Sequence, residues 1–127
     1  MTYYFSKSVD VPFNEAIERV TAELKARGFG VLTRIDVQST LREKIGADFR
    51  PYTILGACNP TLAHEALKAE SRIGTMLPCN VIVQELGGKV EVAAVNPVAS
   101  MQAIENAGLA TLAARVSGEL RAVVEAI

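Results

Sequence analysis

The sequence predicts an α+β fold, a two-layer sandwich of helices on one mostly antiparallel or mixed five-stranded sheet. Three observations lead there. Five segments have the alternation or short apolar run of strands. Stretches with apolar residues at helical spacing lie between and after them. Gly87-Gly88 joins two strands as a two-residue hairpin, because both glycines tolerate positive φ. Nothing marks a linker, a low-complexity tract or a second domain. Residues 1–127 therefore read as one domain, long enough to bury roughly two-thirds of its unfolded surface.

Each element has its own signal. Tyr3 to Val9 alternates, with Tyr3, Phe5 and Val9 on one face. Pro12 suits the first turn of a helix whose stripe is Phe13, Ala16, Ile17, Val20 and Leu24, closed by a left-handed cap at Gly28. Phe29 to Val37 follows as a strand with Phe29, Val31, Ile35 and Val37 towards one face. Thr40-Leu41-Arg42-Glu43 has the capping-box pattern and predicts a short helix to Gly46. Residues 47–51 form a loop and Tyr52 to Cys58 an apolar strand. Asn59 caps and Pro60 starts a helix burying Leu62, Ala63, Ala66 and Leu67. After an irregular connection at 71–78 come the hairpin strands, Cys79 to Leu86 and Lys89 to Val95. Asn96-Pro97 opens a helical stretch broken near 106–108. The last helix runs from about Leu109 with the stripe Leu112, Val116, Leu120, Val123 and Ile127. Ala113 and Val124 widen this stripe beyond one packed face, and Gly118 suggests a close helix approach.

Composition narrows the function. A net charge of −1 without a basic run argues against a nucleic-acid partner, which needs clustered Lys and Arg. The N-terminus lacks the apolar core of a secretory signal, and no stretch has the ~18 apolar residues that span a bilayer. The expected setting is the cytoplasm, without a membrane partner and with thiols kept reduced.

The two cysteines stand in near-mirrored surroundings, Cys58-Asn59-Pro60 and Pro78-Cys79-Asn80. A helix N-terminus contributes ~0.3–1 kcal/mol to a nearby negative charge, and up to ~2 when partly buried. That lowers a thiol from about 8.5 to roughly 7–8, short of a strongly activated nucleophile. The competing reading is a small buried apolar residue. His64, the only histidine, leans back over Pro60 and could approach Cys58 as a neutral base, hydrogen-bond partner or ligand. Its competing reading is an exposed helix residue. Cys58, His64 and Cys79 would together make a three-ligand zinc or iron set, although Cys-x5-His matches no strong metal spacing. No motif specifies a cofactor, and none of the phosphate-loop, nucleophile-elbow or metalloprotease patterns is present.

The Asn-Pro start occurs twice. Residues 54–60 lead through Asn59-Pro60 into a helix with Ala66-Leu67. Residues 92–97 lead through Asn96-Pro97 into one with Ala103-Ile104 at the same offsets. In the second unit Val95 stands for Cys58 and Met101 for His64. The corner itself therefore requires neither a thiol nor an imidazole. A helical crossover would separate Cys58 from Cys79 at opposite sheet ends. The connection at 71–78 is long enough to undo that.

Taken together, residues 52–60, Leu77-Pro78-Cys79-Asn80-Val81, and Asn96-Pro97 followed by Met101 resemble domain-of-unknown-function family 302, with likeness over essentially the whole chain. The resemblance implies a compact α+β fold, an intracellular bacterial or archaeal protein and a homodimer, with no established reaction. It sets Cys58 and Cys79 in the family's two cysteine-bearing motifs. Members often carry Asp where this chain has Asn96.

The leading expectation is a small protein that binds a small ligand or a sulfur or redox species near Cys58, Asn59, His64, Cys79 and Asn80. The alternative is a non-catalytic dimeric interaction module that uses the C-terminal helix face. The third is metal or haem binding.

Overall fold

Alternation and helical stripes resolve into eleven elements in the computed structural model, which describes residues 2–127. These are β1 (Tyr4–Val9), α1 (Phe13–Ala26), β2 (Gly30–Asp36), α2 (Val37–Ile45), β3 (Tyr52–Cys58) and α3 (Pro60–Ala69). A 3-10 segment (Ser71–Met76), β4 (Cys79–Leu86), β5 (Lys89–Val95), α4 (Pro97–Ser100) and α5 (Ala107–Ala126) follow. The strands form one sheet in the order β1-β5-β4-β3-β2, and every neighbouring pair is antiparallel. This is the α+β sandwich of the sequence reading, in its fully antiparallel form.

The core lies between the sheet and α1 and α5. Ala16, Ile17, Val20 and Leu24 of α1 and Leu120, Val123 and Val124 of α5 meet Leu55, Val81, Val83 and Val92 of the sheet. A smaller cluster of Ala66, Ile73 and Leu109 joins α3, the 3-10 segment and the start of α5. Leu77 packs against both. Gly87 and Gly88 take the positive φ values, 61° and 79°, that the tight hairpin demands.

Several local expectations are corrected. A bulge between Val31 and Thr33 adds Leu32 to β2 and shifts its phase. Ile35 thus leaves the face of Phe29 and Val31, pairs with Ile54 and is 46% exposed. The α2 helix begins at Val37, not Thr40, because the Asp36 carboxylate accepts the Ser39 N–H and caps it first. Pro12 is the N-cap of α1 and not its first residue. On α3, Leu67 is exposed while Leu62 and Ala66 are buried. Gly118 faces open space, so it marks no close helix approach. Val124 is 2% exposed and sits in the core. The wide stripe of α5 thus serves its own sheet, and the C-terminal helix face assigned to docking is already covered.

Candidate functional site

Three short motifs build one end of the sheet. β3 ends at Cys58 because Asn59 turns the chain, its Oδ1 accepting the Leu62 N–H at 3.1 Å, and Pro60 fills the first helical position. β5 ends at Val95 in the same way, with the Asn96 Oδ1 accepting the Val98 N–H at 3.2 Å before Pro97. Both strands are antiparallel to β4, so they run in the same direction and their ends flank its first residue, Cys79. The connection through the 3-10 segment and Leu77-Pro78 returns the chain to this end. Cys79 pairs with Ala57, the residue before Cys58, so the crossover does not separate the two cysteine motifs.

Between these corners lies a small apolar recess of about 40 Å³, partly open to solvent. Ala57, Cys58 and Cys79 belong to its sheet side, and Leu62, Ala63 and Ala66 of α3 to one wall. Leu109, Leu112, Ala113 and Val116 of α5 form the opposite wall, with Pro97 and Met101 beside them. The recess is the seam between the main core and the smaller cluster. Its lining carries no carboxylate, imidazole, lysine or arginine. Among the described residues no buried side-chain nitrogen or oxygen lacks a partner, so the recess presents apolar surface and sulfur rather than waiting polar groups.

Both cysteines are free thiols, Cys58 half-buried and Cys79 8% exposed. Burial, reinforced by the nearby charge of Cys58, raises the Cys79 thiol from 9.0 to about 11. Cys79 is therefore protonated at neutral pH and is a poor nucleophile.

Of the five residues the sequence singled out, Cys58, Asn59 and Cys79 line the recess. His64 does not; it is exposed on the outer side of α3, next to the Glu65–Lys68 ion pair at 2.8 Å. Helical rotation from Asn59 carries it away from the wall that Leu62 and Ala66 face. Asn80 alternates to the opposite face of the sheet, beside Ile82 and Tyr4 in a shallow open depression. The proposed Cys58-His64-Cys79 ligand set is thus not assembled. No group of three or more His, Cys, Asp or Glu among the described residues is placed to hold a metal ion. No helix among the described residues is long and apolar enough to cross a membrane.

The sequence reading missed the α5 wall. Leu112 and Val116 are half-buried and line this recess, Leu112 against the smaller cluster and Val116 against the main core. The repeated Asn-Pro corner was the available signal, since two strands that end alike can flank one cavity.

Fold and site together define a small antiparallel α+β sandwich with an apolar recess between two Asn-Pro corners. The chain belongs to the DUF302 family, a domain of unknown function, whose model matches residues 5–127. It is similar to the crystal structure of an uncharacterized conserved DUF302 protein from Bacillus stearothermophilus. The identity is 32%, the TM-score is 0.93, and 98% of each chain is covered. No curated protein matches the chain.

Proposed function

We propose that this is a non-catalytic binding protein whose recess seats the apolar end of a small organic ligand, the rest of which lies across its open mouth. The observation that supports this reading is the character of the lining, apolar side chains from α3 and α5 around two thiols, with no charged group. Ligand sites are concave and mostly apolar, with few polar groups to fix orientation. Here Cys58 and Asn59 at the α3 corner supply those few.

Thiolate catalysis has less support. The Cys79 proton is held by burial, and His64 lies outside the recess, so no base adjoins either sulfur. A sulfur or redox species bound through Cys58 is the competing occupant, and the same experiment separates the two.

The test is fluorescence titration with the apolar probe N-phenyl-1-naphthylamine. Saturable binding is expected for the wild type. Ala63→Trp, which fills the recess from a half-buried wall position, should abolish it while the circular dichroism spectrum stays unchanged. Cys58→Ser should retain affinity within about 3-fold, since exchanging one sulfur for oxygen leaves the apolar walls of α3 and α5 in place. No saturable binding, or binding that survives Ala63→Trp, sinks the proposal. A loss on Cys58→Ser equal to that on Ala63→Trp moves the reading to thiol chemistry.

A further inference from the structure

The edge strands of an open sheet carry unpaired N–H and C=O groups, and proteins guard such edges with bulges, prolines or charged side chains. The two edges of this sheet differ in that respect. β2 is broken by the bulge between Val31 and Thr33, which interrupts its ladder. β1 keeps an unbroken antiparallel register with β5, from Tyr4 opposite Val95 to Val9 opposite Val90, and contains neither proline nor glycine. Its one charged residue, Lys7, does not guard the edge. The Lys7 Nζ is drawn to the end of α5, where it donates to the Glu125 and Ile127 carbonyls at 3.0 and 2.8 Å.

The ladder fixes which groups of β1 are unpaired. The Asn96 N–H donates to the Tyr3 carbonyl at 2.8 Å, so these two opposite residues form a hydrogen-bonded pair. Such pairs alternate along an antiparallel ladder, so Phe5, Lys7 and Val9 also turn their backbone groups towards β5. The N–H and C=O groups of Tyr4, Ser6 and Ser8 therefore point outwards. No turn, loop or cap bond among the described residues takes any of them.

Beside this edge lies an open groove of about 580 Å³. Tyr4, Phe5 and Ser6 all line it, although successive side chains of a strand face opposite ways. The groove thus runs alongside β1 and not over either face of the sheet. Val98, Ser117 and Arg121 form its other side, and Arg121 is the one charged residue in the lining. The Arg121 guanidinium lies 5.3 Å from the Phe5 ring centroid, and its Nε is 3.5 Å from Glu125 Oε1. Both side chains of that ion pair are largely exposed, 65% and 70%, so the pair is weak. It leaves the terminal guanidinium N–H groups for another acceptor.

We infer that β1 is a docking edge for an extended, acidic peptide segment of another protein. The segment adds as a further strand, antiparallel like every pair in this sheet, and sets a Glu or Asp side chain opposite Phe5. Backbone bonds to Tyr4, Ser6 and Ser8 supply the affinity, and alternate side chains the specificity. A residue opposite Phe5 shares its face of the ladder and so meets Arg121, the groove's one charge, which selects a carboxylate. The peptide residues opposite Tyr4 and Ser6 face the other way and turn their own N–H and C=O groups towards β1. No residue lines both this groove and the recess, so the inference stands independently of ligand binding there.

Fluorescence anisotropy with the rhodamine-labelled, amidated peptide Thr-Val-Glu-Val-Thr tests it. Saturable binding is expected, and the analogue with Gln at the centre should bind roughly 3- to 10-fold more weakly. Arg121→Gln should remove that difference. N-methylation of both valines, whose N–H groups face β1, should abolish binding. N-methylation of the central glutamate, whose N–H faces away, should change it by less than about 3-fold. These two peptides test the edge on the wild-type protein, without any variant that must fold. Amide hydrogen exchange gives a second readout: Tyr4, Ser6 and Ser8 should exchange fast in the free protein and slow down with peptide, while Phe5 and Lys7 are slow in both. No saturable binding, equal losses from the two methylation patterns, or a Glu preference that survives Arg121→Gln overturns the inference. So do slow Tyr4, Ser6 and Ser8 amides in the free protein, because the edge would then already be covered by a second copy.

Discussion

The corners at Asn59-Pro60 and Asn96-Pro97 share a sequence, a cap and a direction, yet they do different work. Both asparagines accept a helix N–H through Oδ1, and both prolines occupy the first turn. Asn59 stops there; it is half-buried, stands on the rim of the recess and leads into a ten-residue helix. Asn96 is buried and makes two further side-chain bonds. Its Oδ1 accepts the Ser117 hydroxyl at 2.8 Å and its Nδ2 donates to the Thr2 carbonyl at 3.0 Å. It thereby ties the end of β5 to α5 and to the N-terminus, while its helix lasts only four residues. The local motif builds the corner, and its neighbours decide whether that corner clamps the fold or borders a site. The amide matters at the clamp: a carboxylate could accept both bonds but could not donate to the Thr2 carbonyl.

The largest effect expected from this contrast is at Asn96. Asn96→Ala removes the cap and strands a buried Ser117 hydroxyl, which together should cost about 2–4 kcal/mol. Urea denaturation should show a lower midpoint with an unchanged slope. A loss no greater than that of Asn59→Ala would erase the distinction between clamp and rim.

The next effect is set by pH, at the residue lying between the corners. The Cys79 thiol is raised from 9.0 to about 11 in the folded protein. Below pH 9 both states hold the proton, and the full stability is present. As pH rises from 9 towards 11 the unfolded chain releases it while the folded chain does not, so stability falls, by up to about 1.4 kcal/mol per pH unit. Comparing the wild type with Cys79→Ala at pH 8 and pH 10 isolates this contribution. Equal pH slopes in the two proteins would remove the buried neutral thiol from the account.

The local rules that were legible in the sequence are those acting within one element. The hairpin glycines, both Asn-Pro corners, the α1 stripe and the bounds of β3 follow from backbone geometry and periodicity, and the structure has them all. What was not legible depends on partners distant in sequence. The bulge at Leu32 reverses the facing of Ile35 because β2 is pinned to β3, which no pattern within β2 reveals. The capping box at Thr40 was a weaker start than Asp36, whose carboxylate reaches the Ser39 N–H first. The same gap explains the site. Cys58, Asn59 and Cys79 share a recess because β3 and β5 end together, whereas His64 was separated from it by helical rotation, and Asn80 by strand alternation. The width of the α5 stripe suggested an external partner, but the extra residues, Ala113 and Val124, are consumed by the recess and the core.

The smallest expected effect completes the comparison at Asn59. Its side chain makes one hydrogen bond, accepting the Leu62 N–H, and removing a single cap costs about 1 kcal/mol. The freed N–H lies at a half-exposed rim where water can replace the lost acceptor, so the cost should not reach that of the buried clamp. Fraying should stay within the first turn of α3, since Leu62 and Ala66 remain packed. Hydrogen exchange should therefore rise at residues 60–63 in Asn59→Ala and remain unchanged at Ile73 and Leu109. N-phenyl-1-naphthylamine should bind only a few-fold more weakly, because the apolar walls persist. Exchange spreading to Leu109 would mean that the two corners form one cooperative unit, and that the recess opens as part of that unit rather than at its rim.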